Sequence, residues 1–399
     1  MRILFVAPYV PSPIRVRPFQ WIRVLSRLGQ RIRLVVLQPP EDGWLEDDVP
    51  VSGYCESVSV FPLSRARTVV NGLAALPRDV PLQAAYSRHP AAEARITAEV
   101  QQCDVVHIEH LRGSLLTRRV RGIPQVIDAV DSISALFEET QIQARSWQHR
   151  LMARIDLSRT RRFEAALPRR FDRTLVSSAH DAARFRELAG ARVDERLVVL
   201  PNGVDLEYFC PREGVRHPAT ILFTGKMSYH ANEAAALRLV ERVIPLVWQK
   251  RPDVRVVIAG KDPSPGVRLL AHDPRVSVTG FVEDLRACFW SATLVMAPLV
   301  YGTGIQNKVL EAMACGVPVI ASAKACEGIA AANGRDLLVG RDDQELAALA
   351  LTLLDNADLR RRLAADGRRY VATHHDWSQL GRRLIGVYED ARAAHRRCA

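Results

Sequence analysis

Paired cysteines are missing from this chain, and no apolar stretch is long. The seven cysteines, Cys55, Cys103, Cys210, Cys288, Cys315, Cys326 and Cys398, are scattered without a C-x-x-C pair. Their spacing indicates neither a zinc site nor a disulfide framework, and fits a reducing cytoplasm. No window approaches the roughly 18 apolar residues of a membrane-spanning helix, so membrane contact, on the inner face for example, is expected to be peripheral. The opening run Met1–Pro8 is too short for a signal peptide and is broken by Pro8, Pro11 and Pro13; it reads as a buried first strand. Short repeats and low-complexity tracts are also missing. Hydrophobic residues at 48% and charged residues at 25% are those of a folded globular chain.

Arginine accounts for most of a net charge of +11 and a pI near 9.7. That balance favours phosphate-bearing partners, and nucleic acid, acidic lipid and nucleotide sugar all qualify. Basic residues crowd between Arg145 and Arg173, including Arg150, Arg154, Arg159, Arg161, Arg162, Arg169 and Arg170, in a stretch that reads as helical. Its charge serves either a solvated helix face or contact with an anionic membrane surface.

At 399 residues the chain suits two domains. Short apolar runs alternate with amphipathic stretches, the pattern of successive βαβ units. Strands are expected at 3–7, 32–37, 57–61, 105–108, 125–127 and 174–176. Phe19, Ile22, Leu25 and Leu28 recur at helical spacing before Gly29. The turn signal Pro201-Asn202-Gly203-Val204-Asp205 marks a crossing into a second alternation, with strands expected at 220–223, 255–259, 276–278, 294–296 and 317–320. The expected division is an acceptor-binding Rossmann-like domain over 1–200 and a donor-binding one over 201–375. A last helix, about 376–395 within a helical stretch from Tyr370 to Ala394, could pack back onto the first.

Parallel α/β sheets bind ligands at the carboxyl ends of their strands, where helix N-termini favour anions. Two junctions in the second half have the right chemistry. In the first, a strand runs into Gly225 and Lys226 and then a helix; Lys226 is either a diphosphate ligand or a solvated loop lysine. The second carries Gly302, Thr303, Gly304, Ile305 and Gln306, followed by Lys308 in the first helical turn and Glu311 one turn on. Glycines let backbone approach a phosphate, and a carboxylate can accept two hydrogen bonds from a diol such as ribose.

The run Lys308-Val309-Leu310-Glu311-Ala312-Met313-Ala314-Cys315-Gly316-Val317-Pro318-Val319-Ile320-Ala321-Ser322 resembles the donor-binding signature of the family 4 retaining glycosyltransferases of the GT-B fold. Leu200–Asp205 with Tyr208-Phe209, and Val278–Leu285, are similar to the same family. The resemblance spans the C-terminal half and, more loosely, the opening strand and the Trp377 helix. A weaker likeness links the first half to sugar transferases of exopolysaccharide systems. The resemblance implies an α/β protein of GT-B architecture, two doubly wound Rossmann-like domains facing across a cleft.

It also implies transfer of a hexosyl group from a UDP- or GDP-sugar, with retention of configuration, to a glycan or lipid-linked acceptor. No tightly bound cofactor, metal or nucleic acid is expected. By the same likeness Glu311 holds the ribose hydroxyls and Lys226 and Lys308 the diphosphate, both lysines counting as catalytic. Gly225, Gly304, Ile305 and Gln306 line the phosphate or sugar, and Glu283 lies near the base. Many members carry a glutamate where this chain has Thr303, which leaves the donor sugar open.

In the first half the polar cluster Asp104–Gly113 offers His110 as the family's cleft histidine, or as an ordinary loop histidine. Strand spacing places His107 and His110 on opposite faces, which argues against a metal. Asp131 is either functional or a helix cap. Arg15 and Arg17 would suit an anionic acceptor or a solvated surface. A sugar-nucleotide epimerase of the same fold and an anion- or nucleic-acid-binding protein are the alternatives.

Overall fold

The computed structural model describes every residue except 14, 41–48, 78, 144–146, 213–216, 303 and 399. The chain forms two compact units. The first comprises Met1–Glu138, Arg150–Pro201 and Trp377–Ala399; the second comprises Glu139–His149 and Asn202–Asp376.

The first unit is built on β1 (Arg2–Ala7), β2 (Arg31–Gln38), β3 (Ser57–Pro62), β4 (Val105–Glu109), β5 (Gln125–Val130), β6 (Arg173–Val176) and β7 (Leu197–Val199). They pair in parallel in the order β3-β2-β1-β4-β5-β6-β7. Ile3 to Ala7 are all buried, because helices cover both faces of a doubly wound sheet; this is why β1 is continuously apolar rather than alternating.

The second unit repeats the plan with β8 (Thr220–Thr224), β9 (Arg255–Ala259), β10 (Val276–Gly280), β11 (Leu294–Ala297), β12 (Val319–Ser322) and β13 (Leu338–Gly340). These too are parallel, in the order β10-β9-β8-β11-β12-β13. The strand order reverses between β1 and β4 in one sheet and between β8 and β11 in the other. Such switch points open a crevice at the strands' carboxyl ends.

Both edge strands β7 and β13 escaped the sequence reading, since three residues are too few to show a period. The strand expected at 317–320 begins at Val319. Val317 N–H instead bonds Ala312 O, closing the preceding helix, with Gly316 at φ +66°. The helical stretch from Tyr370 to Ala394 is two helices, Ala357–His374 and Trp377–Cys398. At the break, Val204 N–H bonds His375 O at 2.7 Å and His375 Nδ1 meets Asn202 O at 2.7 Å. The segment entering the second unit takes up backbone groups that an unbroken helix would have used itself.

The last helix belongs to the first unit. Trp377 meets Trp21 edge-on, with ring centroids 4.7 Å apart, and Leu380, Leu384, Tyr388 and Ala391 are buried. Each large apolar side chain buried in this way contributes roughly 1.5–3 kcal/mol. Gly381 allows the close approach to helix Val16–Arg27, since a Cβ there would lie 2.9 Å from Val24 Cγ2. Replacing Gly381 by Val should therefore overpack the contact and cost about 1–3 kcal/mol, seen as a lower urea midpoint and earlier proteolysis of the terminal helix.

Candidate functional site

In the second unit the loops after β8 and β11 form one polar assembly. Gly225 and Gly260 follow neighbouring strands and approach so closely that a Cβ on Gly260 would sit 1.8 Å from Gly225 O. A Cβ on Gly225 would meet the Asn232 amide at 2.7 Å. Only glycine admits this geometry. Helix His230–Arg238 then begins, and Asn232 in its first turn donates to Lys226 O at 3.0 Å.

Asn232 also accepts from Lys308 Nζ at 2.7 Å, and the Gln306 side chain accepts from the same ammonium at 3.4 Å. The lysine lies in the first turn of helix Asn307–Ala314, and its ammonium stands 5.2 Å from the centre of the buried Phe223 ring. Burial pulls Lys308 down to about 8, with Glu311 opposing. Burial pushes Glu311 up to about 7, with Lys308 holding it back. The Glu311 carboxylate has no hydrogen-bond partner among the described residues. A cation held ready at a helix N-terminus and an open carboxylate one turn away can receive an anion and a pair of hydroxyls.

The other expected donor residues divide. Gly304 has φ +74°, Ile305 is buried, and Gln306 is the residue before helix Asn307–Ala314, so these three stand with Lys308. Lys226 joins the assembly through its carbonyl, while its ammonium is exposed and 3.9 Å from Asp262. Glu283 is exposed on the loop after β10, beside Asp284, which caps helix Leu285–Ser291. Thr303 lies outside the described residues.

Several participants carried no sequence signal. His230 Nδ1 and Tyr301 OH are 2.8 Å apart with their rings stacked, clasping the two loops together. Glu139 accepts from Gly302 N–H at 2.8 Å and pairs with Lys324. The Gly302 loop thus already presents its N–H to an anionic oxygen. The proximity of Glu139 and Tyr301 to this loop is a matter of tertiary packing.

At the switch point of the first unit, His110 follows β4 with φ +59°. Its Nδ1 accepts from Arg112 N–H at 3.2 Å, so the neutral ring carries its proton on Nε2. Burial, with Arg112 and Arg15, pulls His110 down to about 3; it is a neutral hydrogen-bond donor across the physiological range. Arg15 lies over the Tyr9 ring at 4.3 Å, and Tyr9 OH donates to Glu109 at 3.1 Å.

Arg17 does not line a loop with Arg15. It is buried in helix Val16–Arg27, bonding Asp128 at 2.7 and 3.1 Å and Leu200 O at 2.9 Å. Nor does Asp131 cap the helix that follows. Its carboxylate accepts from Ser177 Oγ at 2.7 Å, while Glu164 takes the Ile133 and Ser134 N–H groups. Burial and the neighbouring Asp181 push Asp131 up to about 7. His107 pairs with Tyr388 OH at 2.8 Å, not with His110. Its Nε2, Glu109 and Asp128 offer ligand atoms within 4.8 Å of one another. Asp128, however, is already neutralised by Arg17 and bonded by Trp21 Nε1 at 3.1 Å, a donor set that suits a buried ion pair better than a cation site.

Two parallel, doubly wound halves, with an anion-ready helix start at the switch point of the second, are those of a GT-B glycosyltransferase. Residues 19–208 match the family described as Glycosyltransferase Family 4, and residues 218–356 match Glycosyl transferases group 1. The chain belongs to this glycosyltransferase family. It is 29% identical to the MMP α-(1→4)-mannosyltransferase of Mycolicibacterium hassiacum over 74% of this chain and 72% of that protein. It is 25% identical to the GDP-mannose:cellobiosyl-diphosphopolyprenol α-mannosyltransferase of Xanthomonas oryzae pv. oryzae over 76% of this chain and 78% of that one. Among solved structures, sucrose-phosphate synthase from Thermosynechococcus elongatus shares the fold, with a TM-score of 0.73 at 18% identity, covering 99% of this chain and 100% of that chain.

The Glu311 shift has a consequence for stability. A carboxyl group raised from its ordinary 4.5 to about 7 favours the folded state below about 4.5, an advantage lost as pH rises through 7. Glu311→Gln should therefore raise the melting temperature at pH 8 and leave it nearly unchanged at pH 4, as read by thermal scans without ligand.

Proposed function

We propose that this protein is a retaining mannosyltransferase that takes its sugar from GDP-mannose. It passes the sugar to a hydroxyl of a lipid-linked glycan in exopolysaccharide or other cell-surface glycan synthesis, without a metal ion. The observation that carries the reading is the Lys308–Glu311 arrangement at the start of helix Asn307–Ala314. GDP-mannose and a diphosphate-linked acceptor are those for which the Xanthomonas relative is named.

In this reading the donor diphosphate lies against the Lys308 ammonium, the helix N-terminus and the backbone of Gly225, Gly304 and Ile305, with Gln306 beside it. Lys226 adds its exposed charge from the loop. Glu311, ionised on binding, accepts the two ribose hydroxyls, and Glu283 faces the base. As the bond from the anomeric carbon to the phosphate oxygen breaks, negative charge grows on the diphosphate. The fixed positive potential then stabilises the transition state more than the ground state. The acceptor oxygen bonds the anomeric carbon from the same face, and its proton passes to the departing phosphate oxygen. His110, neutral with its proton on Nε2, serves the acceptor as a hydrogen-bond donor rather than as a base. Arg15 and Arg112 give its surroundings a field suited to a phosphate-bearing acceptor.

GDP-mannose should raise the melting temperature more than GDP-glucose or UDP-glucose and, with a polyprenyl-diphosphate glycan, give an α-mannoside and GDP in the presence of EDTA. Lys308→Met and Glu311→Ala should each lower kcat/KM about a hundredfold, and His110→Ala should lower kcat by a similar factor. GDP affinity should decline above about pH 8, where Lys308 loses its proton, and Lys308→Met should abolish that limb. An epimerised sugar nucleotide formed without acceptor would overturn the assignment.

A further inference from the structure

Helix Arg65–Ala75 rests on the short helix Leu82–Tyr86 along one side and buries little else. Ser64 caps it by accepting from Arg67 N–H, and Asn71 anchors it to the carbonyls of Tyr86 and Arg88 at 3.2 and 3.0 Å. Ala75 is its one buried residue. Val69, Val70 and Leu73 are 60–63% exposed, and Leu76, which ends the helix, is 47% exposed. A helix that keeps four aliphatic side chains in water has a face without its partner.

The exposure is concentrated. Among the described residues of the first unit, every other exposed large hydrophobic side chain, Leu151, Met152 and Ile155, lies on helix Trp147–Arg170. That helix holds the end of the first one: the Arg159 guanidinium donates to Leu76 O at 2.8 Å, and Arg162 pairs with Asp79. Ile155 is one turn before Arg159 on that helix.

Charge selects the occupant. Arg65, Arg67, Arg150 and Arg154 are exposed around these aliphatics. No acidic residue occurs between Glu56 and Asp79, nor from Trp147 to Ile155. Asp156, the next one, is buried and accepts from Leu82 N–H at 3.0 Å. A second copy of this face would bring arginine against arginine. Anionic lipid offers phosphates to the arginines and hydrocarbon to the aliphatics, the two contributions that together hold an interfacial helix.

We propose that helix Arg65–Ala75, with the Arg150–Ile155 segment, is a docking surface for an anionic lipid bilayer. The protein would bind as a peripheral guest, its aliphatic face in the headgroup boundary. The inference fits the lipid-linked acceptor proposed above but stands apart from it, because partitioning onto vesicles requires neither donor nor turnover.

The test is co-sedimentation of the full chain with vesicles of phosphatidylcholine alone or mixed with phosphatidylglycerol. Binding should require phosphatidylglycerol and weaken as salt is added. The double variant Val69→Ser, Leu73→Ser should lose about tenfold or more in partitioning, and Arg65→Gln with Arg150→Gln should lose a similar amount and flatten the salt dependence. Both variants should keep the wild-type circular dichroism and GDP affinity, since the altered side chains are exposed. Equal binding to both vesicle types would overturn the proposal. So would unimpaired binding by the variants, or a concentration-dependent dimer that Leu73→Ser abolishes while vesicles are ignored.

Discussion

A buried ammonium must be hydrogen-bonded or lose its charge, and the second unit is arranged around that of Lys308. Its helix follows the loop after β11, and Lys308 lies in the first turn, so the cation meets the positive end of a helix as well as a desolvated pocket. Asn232 relieves it, and that single side chain joins both loops of the switch point, bonding Lys308 on one side and the Lys226 carbonyl on the other. Gly225 has to be glycine because Asn232 occupies the space of a side chain, and Gly260 because Gly225 does. The charge, the amide and the two glycines form one constraint. The arrangement fixes positive potential at the start of the helix, the property that the proposed stabilisation of a departing diphosphate requires.

The first unit solves a similar problem in the opposite sense. Its buried charge is the Asp128 carboxylate, answered by Arg17 and Trp21 from helix Val16–Arg27. Beside it, Glu109 and His107 face each other at 3.8 Å with Oε2 and Nε2 unpartnered. Burial raises Glu109, with His107 opposing the shift. Tyr388 reaches His107 from the terminal helix. The polar layer therefore fastens the first helix and the last to the centre of the sheet, leaving His110, Tyr9 and Arg15 to shape the end where a ligand could bind. The layer is bought with desolvation and held only because nearly every member has a partner.

Much of the fold was legible because parallel strands buried on two faces write themselves as unbroken apolar runs. All eleven expected strands form, the edge strands β3 and β10 alternating valine with serine or threonine rather than running apolar, while β7 and β13, at three residues each, do not register. The second glycine-bearing junction was legible for a related reason: Gly304, Lys308 and Glu311 are close in sequence, and a helix turn fixes their relation. Residues whose partners are remote were not. Arg15 and Arg17 look alike in sequence, but Asp128, 111 residues away, takes Arg17 into the core. Asp131 looks like a cap, yet the helix start is capped by Glu164, 31 residues on from Ile133.

The sequence by itself determined the class: its alternating runs, its glycine positions and the Lys308–Ser322 segment define a two-part α/β glycosyltransferase, because those features depend on local backbone geometry and short spacing. Tertiary structure decided which charges are available for chemistry. Lys226 and Lys308 are both lysines beside glycines, but one extends into solvent and the other is buried against Phe223 and Asn232. Tertiary structure likewise joined the last helix to the first unit through Trp21 and Val24, and left helix Arg65–Ala75 with its aliphatic face uncovered. Burial is a property of packing between distant segments. A charge's protonation and an apolar face's need for a partner both follow from burial, so neither could be read along the chain.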